Sequence, residues 1–239
     1  MENLNPNARP KGEIILINKP YGWTSFQAVK KIKYVTKAKK VGHAGTLDPL
    51  ASGLLIVCTE QQTKGIQAIQ DADKEYEGTL VLGTTTPSYD METEPNAHYP
   101  IEHISTELLH SIIPQFLGDI DQIPPLFSAV KVDGKRAYQL ARQGDATVLK
   151  SRKITIHALE FTRIELPEVD FLVRCTKGTY IRSLVFDIGR ALKSGAYMSR
   201  LVRTKIGEHH IENALSPQAF ELAFQAKKSE NSHTSPSEH

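Results

Sequence analysis

Long hydrophobic runs are missing from this sequence. No apolar stretch approaches the roughly 18 residues that a membrane-crossing helix needs. Met1 to Pro10 carries no apolar segment ahead of a cleavage-like site, so no secretory leader is expected and the chain is assigned to the cytoplasm. Cysteine is scarce: Cys58 and Cys175 are the only two, each inside an apolar, strand-like segment. Neither a Cys-x-x-Cys nor a His-Glu-x-x-His spacing occurs, which argues against a zinc site and a redox pair. Both thiols are therefore expected to behave as small buried hydrophobes. Internal repeats are absent as well. Acidic residues are missing from one stretch, where Lys30, Lys31, Lys33, Lys37, Lys39 and Lys40 crowd together unopposed.

What is present fits a globular chain. Of 239 residues, 40% are hydrophobic and 23% charged, with a net charge of +2. That is enough for one sizeable domain, or a large one with a small appendage. The charge matters less than its distribution. The Lys30–Lys40 stretch and a second set, Lys193, Arg200, Arg203 and Lys205, are patches that attract phosphate backbones, although a solvated helix face has the same composition.

Along the chain, Glu13 to Asn18 reads as a buried strand and Lys19-Pro20-Tyr21-Gly22 stops it. Thr24 or Ser25 caps a helix whose Phe26, Val29 and Ile32 are expected to face inward. Val41 to Gly53 reads as a turn-rich loop, followed by a strand from Leu54 to Cys58 and helical character over Gln62 to Ile69. Strands are expected at Tyr76–Leu82, Phe127–Val132, Lys153–Phe161, Asp170–Thr176 and Leu201–Ile206. Helices are expected at Thr106–Phe116, Arg136–Arg142, Tyr180–Leu192 and Pro217–Phe224. Residues 87–100 read as a polar loop, and Asp133-Gly134 as a hairpin turn. The irregular alternation favours an α+β class over a doubly wound sheet. A single domain over residues 1–225 with a polar, unstructured tail over 226–239 is the expected organisation.

The informative segment is Gly42-His43-Ala44-Gly45-Thr46-Leu47-Asp48-Pro49-Leu50-Ala51-Ser52-Gly53. Pro49 fixes its own backbone and biases Asp48 away from helix, which leaves a carboxylate on a stiff loop at the head of a strand. Such a placement suits a nucleophile. An ordinary Asp-Pro turn is the plainer reading of those two residues alone. A phosphate-binding loop would need Gly-Lys-Ser/Thr at its end, which is lacking. A metal or phospho-aspartyl site would need a second carboxylate nearby, and none follows before Glu60.

The segment resembles the catalytic motif of the TruB family of pseudouridine synthases. Further resemblances keep the same order along the chain: Asn18-Lys19-Pro20 with Gly22-Trp23-Thr24-Ser25, then Asp73-Lys74-Glu75-Tyr76. Gln122-Ile123-Pro124-Pro125 with Phe127 to Lys131, Gly134-Lys135 and Tyr138 resembles the RNA-gripping loop. Lys177-Gly178-Thr179-Tyr180-Ile181-Arg182 and Leu201-Val202-Arg203-Thr204 complete the set, which spans roughly residues 13 to 215.

This resemblance implies a pseudouridine synthase fold, α+β with a large, mainly antiparallel sheet flanked by helices. It implies isomerisation of a uridine in the T loop of tRNA, at the conventional position 55, with no metal and no cofactor. Asp48 is implied as the nucleophile, Arg182 as its cationic partner and Tyr76 as the ring that stacks on a flipped uracil. Tyr180 and Leu201 would line the same pocket, and His43 would fill the space left in the RNA. Lys19 and Lys64 are expected to contact phosphates or support the loop. The partner is the tRNA T arm, and a monomer is expected. Bacterial relatives often append a small C-terminal RNA-binding domain, and the polar tail here points to a short form without it. A non-catalytic tRNA-folding chaperone and a nucleoside hydrolase stay open as rival readings.

Overall fold

A computed structural model describes residues 11–128, 131–132, 135–137 and 149–233. The first elements are β1 (Ile14–Lys19), α1 (Ser25–Thr36), β2 (Val41–Ala44) and β3 (Ala51–Thr59). A 3-10 turn over Glu60–Gly65 leads into the short helix α2 (Ile66–Asp71). Next come β4 (Lys74–Leu82), the two-residue strands β5 (Thr84–Thr85) and β6 (Ala97–His98), and α3 (Thr106–Ile112). β7 (Gly118–Gln122), β8 (Lys131–Val132) and β9 (Lys135–Arg136) precede a long hairpin, β10 (Arg152–Glu165) and β11 (Glu168–Cys175). α4 (Ile181–Ala191), β12 (Ala196–Ile206), β13 (His209–His210) and α5 (Pro217–His233) follow. The ladders β1/β3, β2/β3, β4/β11, β10/β11, β7/β10 and β12/β13 are antiparallel, in keeping with the α+β expectation.

The chain divides into two compact units, Met1–Ala72 with Arg203–His239, and Asp73–Val202. In the first, the strand order is β1-β3-β12, with β2 on β3 and β13 on β12. β3 is buried on both faces, because its apolar residues run without alternation. Leu55 and Val57 pack with Ile15, Ile17, Ala28 and Ile32 on one side, while Leu54, Ile56 and Cys58 pack with Ala44 and Ile206 on the other. Thr24 caps α1 in a capping box with Gln27, and the helix ends at Lys37 in the left-handed region. The face turned to the core is Ser25, Ala28 and Ile32, so Phe26 does not point inward as its spacing suggested. It is 73% exposed. Small Ala28 is what lets α1 approach the strands closely, and a phenylalanine two residues earlier is left over.

In the second unit the order is β12-β4-β11-β10-β7. α4 buries Ile181, Leu184, Val185 and Ile188 as its spacing predicts. The expected helix over Thr106–Phe116 is α3 followed by a 3-10 turn over Ile113–Phe116, since Pro114 lacks the N–H a continuing helix needs. The expected loop from Val41 is narrower than its composition implied. Val41–Ala44 pairs with β3, and Ala51–Gly53 already belongs to that strand, leaving six residues, Gly45 to Leu50, as the turn. α5 continues through His233, so residues 226–233, expected to be unstructured, are helical. Gly134, Tyr138 and most of the expected helix from Arg136 to Arg142 lie outside the described residues.

Candidate active site

In the first unit, Asp48 sits exposed on the turn between β2 and β3, and three side chains from two distant parts of the chain hold that turn. Arg203, 2% exposed, donates from Nη2 to Gly45 O at 2.9 Å and from Nε to Leu54 O at 2.8 Å. Ser25 Oγ accepts from Leu47 N at 2.9 Å and donates to Leu47 O at 3.0 Å. Lys19, with no exposed surface, donates from Nζ to Pro20 O at 3.1 Å, to Trp23 O and to Pro49 O at 3.5 Å. Gly22 N donates to Pro49 O at 2.9 Å, and Ala51 N to Asp48 O at 3.1 Å. Gly45 takes φ +80°, and a β-carbon there would lie 3.4 Å from Arg203 Nη1. A carboxylate is thus presented on backbone with almost no freedom left.

Lys19 is unusual chemically. Burial pulls its ammonium down to about 8, with Asp48 opposing the shift and Arg203 adding to it. His43 is half-buried on β2 beside Asp48's turn, with Nε2 3.0 Å from Thr46 Oγ1. Burial and then the Arg203 charge lower its pKa, which favours the neutral ring. Lys64 lies exposed in the 3-10 turn before α2.

In the second unit, Arg182 is buried in the first turn of α4. Its Nε lies 3.5 Å from Asp90 Oδ2, Nη1 donates to Ser88 O at 3.0 Å and Nη2 to Phe127 O at 2.9 Å. Asp90 is held in turn: Tyr89 stacks on Phe186 of α4 at 4.1 Å between ring centroids, and Met198 N donates to Tyr89 O at 2.9 Å. Tyr180 is fixed by Gln122, which accepts from Tyr180 N at 2.8 Å and donates to Tyr180 O at 3.0 Å. The Arg152 guanidinium lies 5.2 Å over the Tyr180 ring. Tyr76 is on β4 opposite Val173, and Leu201 is on the neighbouring β12; both are 8% exposed.

So Asp48, His43 and Lys19 share one unit, while Tyr76, Tyr180, Arg182 and Leu201 share the other. Four supporting residues do not stand out from sequence: Ser25, Asp90, Gln122 and the buried role of Arg203. Ser25, Gln122 and Arg203 leave a trace there only as members of the family-like motifs, and Asp90 leaves none. Among the described residues, no group of three or more His, Cys, Asp or Glu could hold a metal ion. Among them, too, no helix is long and apolar enough to cross a membrane.

Residues 33–181 match the model of the TruB family pseudouridylate synthase N-terminal domain. The chain belongs to the TruB family. Among its relatives, the tRNA pseudouridine synthase B of Flavobacterium johnsoniae is 52% identical over 229 residues, covering 93% of this chain and 100% of the relative. That of Phocaeicola vulgatus is 50% identical over 216 residues, covering 88% of this chain and 92% of its own length. Among solved structures, a Cbf5-Nop10-Gar1 complex shares 32% identity at a TM-score of 0.72, covering 91% of this chain. This TruB-family chain spans 56% of that one. An H/ACA RNP bound to a substrate RNA containing 2'-deoxyuridine matches at 28% identity and a TM-score of 0.69, covering 91% of this chain and 55% of its own.

Proposed function

We propose that this chain converts a uridine in the T loop of tRNA, at position 55, to pseudouridine, as a cytoplasmic monomer without cofactor. The observation that carries the reading is the turn at Asp48, clamped through the carbonyls of Gly45, Leu47 and Pro49. Immobilised backbone under an exposed carboxylate meets the demand of a reaction that needs a nucleophile at attack distance. The relatives' names agree with it, as tRNA pseudouridine synthases of nearly full-length similarity.

Isomerisation breaks the N–C glycosidic bond, turns the uracil and rejoins it through carbon. No water is consumed and no electron leaves. A uridine in folded RNA must first be flipped out, at a cost of a few kcal/mol. Tyr76 offers the aromatic face that repays lost stacking, with Tyr180 and Leu201 as pocket walls. Arg182 completes the proposed catalytic set as its guanidinium, a group suited to charge-assisted hydrogen bonds with carboxylates. His43, in its neutral form, fills the place vacated in the RNA, and Lys19 and Lys64 support the loop and phosphates.

The test is a T-arm-containing tRNA transcript incubated with the purified protein and mapped for pseudouridine. Conversion confined to one T-loop uridine is expected, and an unchanged transcript would overturn the reading. A pure RNA chaperone would leave every uridine intact.

Lys19 adds a pH dependence. Its pKa is lowered from 10.5 to about 8, so between these values the unfolded chain binds more protons than the folded one. This group's contribution to stability therefore rises with pH across that window. Activity should move the opposite way, because the charge clamping Pro20, Trp23 and Pro49 is lost above pH 8. An alkaline limb near pH 8 in single-turnover rate is expected for the wild type. In Lys19→Arg, where the guanidinium stays charged, that limb should vanish below about pH 10. A limb that stays in place would assign it to another group.

A further inference from the structure

α1 carries a solvent face that its packing does not explain. Phe26 is 73% exposed and Tyr34 65% exposed, roughly two helical turns apart on the same side. Between and beyond them stand Lys30, Lys33 and Lys37, all exposed. The helix has no acidic residue in its first turn, and none occurs anywhere in Ser25–Thr36. Lys31, on another side, is paired with Glu221 of α5. Among the described residues, by contrast, Lys30, Lys33 and Lys37 form no ion pair with a carboxylate. The Lys37 ammonium instead lies 4.1 Å over the Tyr34 ring.

An ordinary solvated helix face would mix acids with its lysines and would hide a phenylalanine. This one exposes two rings and leaves three cations uncompensated. The chemistry it matches is a polyanion with flat apolar surfaces, which describes a nucleic-acid strand: phosphates for the ammonium groups and bases for the rings. Its position supports the same occupant. Ser25, which holds both backbone groups of Leu47, immediately precedes Phe26, so the stripe begins one residue from the clamp on Asp48's turn. From Phe26 to Lys37 it continues for about 16 Å at roughly 1.5 Å per residue.

We infer that this face of α1 is an RNA-docking surface, which takes the tRNA strand adjoining the target uridine through phosphate contacts to Lys30, Lys33 and Lys37 and ring contacts to Phe26 and Tyr34. It rests on the tRNA reading above and deepens it. The contacts carry no sequence information. They raise affinity and set the direction in which the RNA leaves the catalytic turn.

The test compares the full-length protein with a Lys30→Gln/Lys33→Gln/Lys37→Gln variant, a Phe26→Ser/Tyr34→Ser variant and a Lys227→Gln/Lys228→Gln control on α5. The substituted side chains are exposed, so folding should be retained and is checked by circular dichroism. Binding of a tRNA transcript is measured from about 50 to 300 mM salt. The triple variant is expected to bind about tenfold more weakly at roughly 100 mM salt. Its slope of log affinity against log salt should be shallower by about two to three, since each phosphate left unneutralised removes about 0.7–0.9. The double aromatic variant should weaken binding with the slope unchanged. kcat at saturating RNA should stay within about twofold in both. An unchanged slope in the triple variant, or an equal change in the Lys227/Lys228 control, would overturn the inference. So would a triple variant that stops binding anionic lipid vesicles while it binds tRNA as the wild type does. A wild type that binds RNA through this face but forms no pseudouridine would sink the proposed function and leave the docking surface standing.

Discussion

Asp48→Asn is expected to lower pseudouridine formation by on the order of 10⁴-fold or more, the scale on which enzymes lose rate when a nucleophile is removed. The substitution is nearly isosteric, and the turn around it is held through backbone carbonyls and N–H groups that the change leaves in place. Gly45, Leu47 and Pro49 keep Arg203, Ser25 and Lys19 as donors. Affinity for tRNA should therefore stay within about threefold. Tritium release from RNA labelled at uracil C5 gives the rate, and filter binding gives the affinity. A variant that releases tritium at the wild-type rate would remove Asp48 from the chemistry. A variant that stops binding as well would recast it as a structural residue of the turn.

Arg182→Ala is expected to be strongly destabilising, by about 3–5 kcal/mol. At this chain length that corresponds to a drop of roughly 10 °C in Tm. The residue is 4% exposed and its guanidinium faces the Asp90 carboxylate, itself 3% exposed, as well as the Ser88 and Phe127 carbonyls. Truncation takes a cation away from a buried carboxylate and removes the guanidinium donor from two carbonyls. Removing Asp90's charge at the same time should restore much of the loss, so Arg182→Ala/Asp90→Asn should be less destabilised than the sum of its parts. Arg182→Lys keeps the charge but cannot fork to both carbonyls, and should fall between wild type and Arg182→Ala. Thermal unfolding followed by near-UV circular dichroism measures the wild type, the three variants named here and Asp90→Asn alone. Strict additivity would mean that the pair contributes nothing as a pair.

How much of this is legible in the sequence differs from element to element. The strand at Ile14 is legible as a compact run rich in β-branched residues, and the inner face of α4 because its apolar residues repeat at helical spacing. α1 is half legible. Its existence follows from Thr24 and the spacing of Val29 and Ile32, but the same spacing points Phe26 to the core. A three-residue spacing drifts off a 3.6-residue face, and Ala28 is too small to advertise that it is the true contact. The turn that carries Asp48 is legible through its motif. Its clamps are not: Arg203 reaches carbonyls 149 and 158 residues away in sequence, and no local pattern encodes such a contact. Asp90 is hidden for a related reason. It lies in a polar loop whose ordering depends on Tyr89 finding Phe186 in a helix nearly one hundred residues later.

Those sequence separations have a kinetic meaning. The turn that displays Asp48 is closed by a side chain that leaves the ribosome 158 residues after Gly45. Until Arg203 has emerged and found its place, Gly45 and Leu54 lack their donor, and closing so large a loop is slow because its entropy must be lost before the contact repays it. The clamp on that turn is thus completed late. A nascent chain halted before Arg203 would carry Ser25 and Lys19 at the turn and still lack the donor to Gly45 and Leu54.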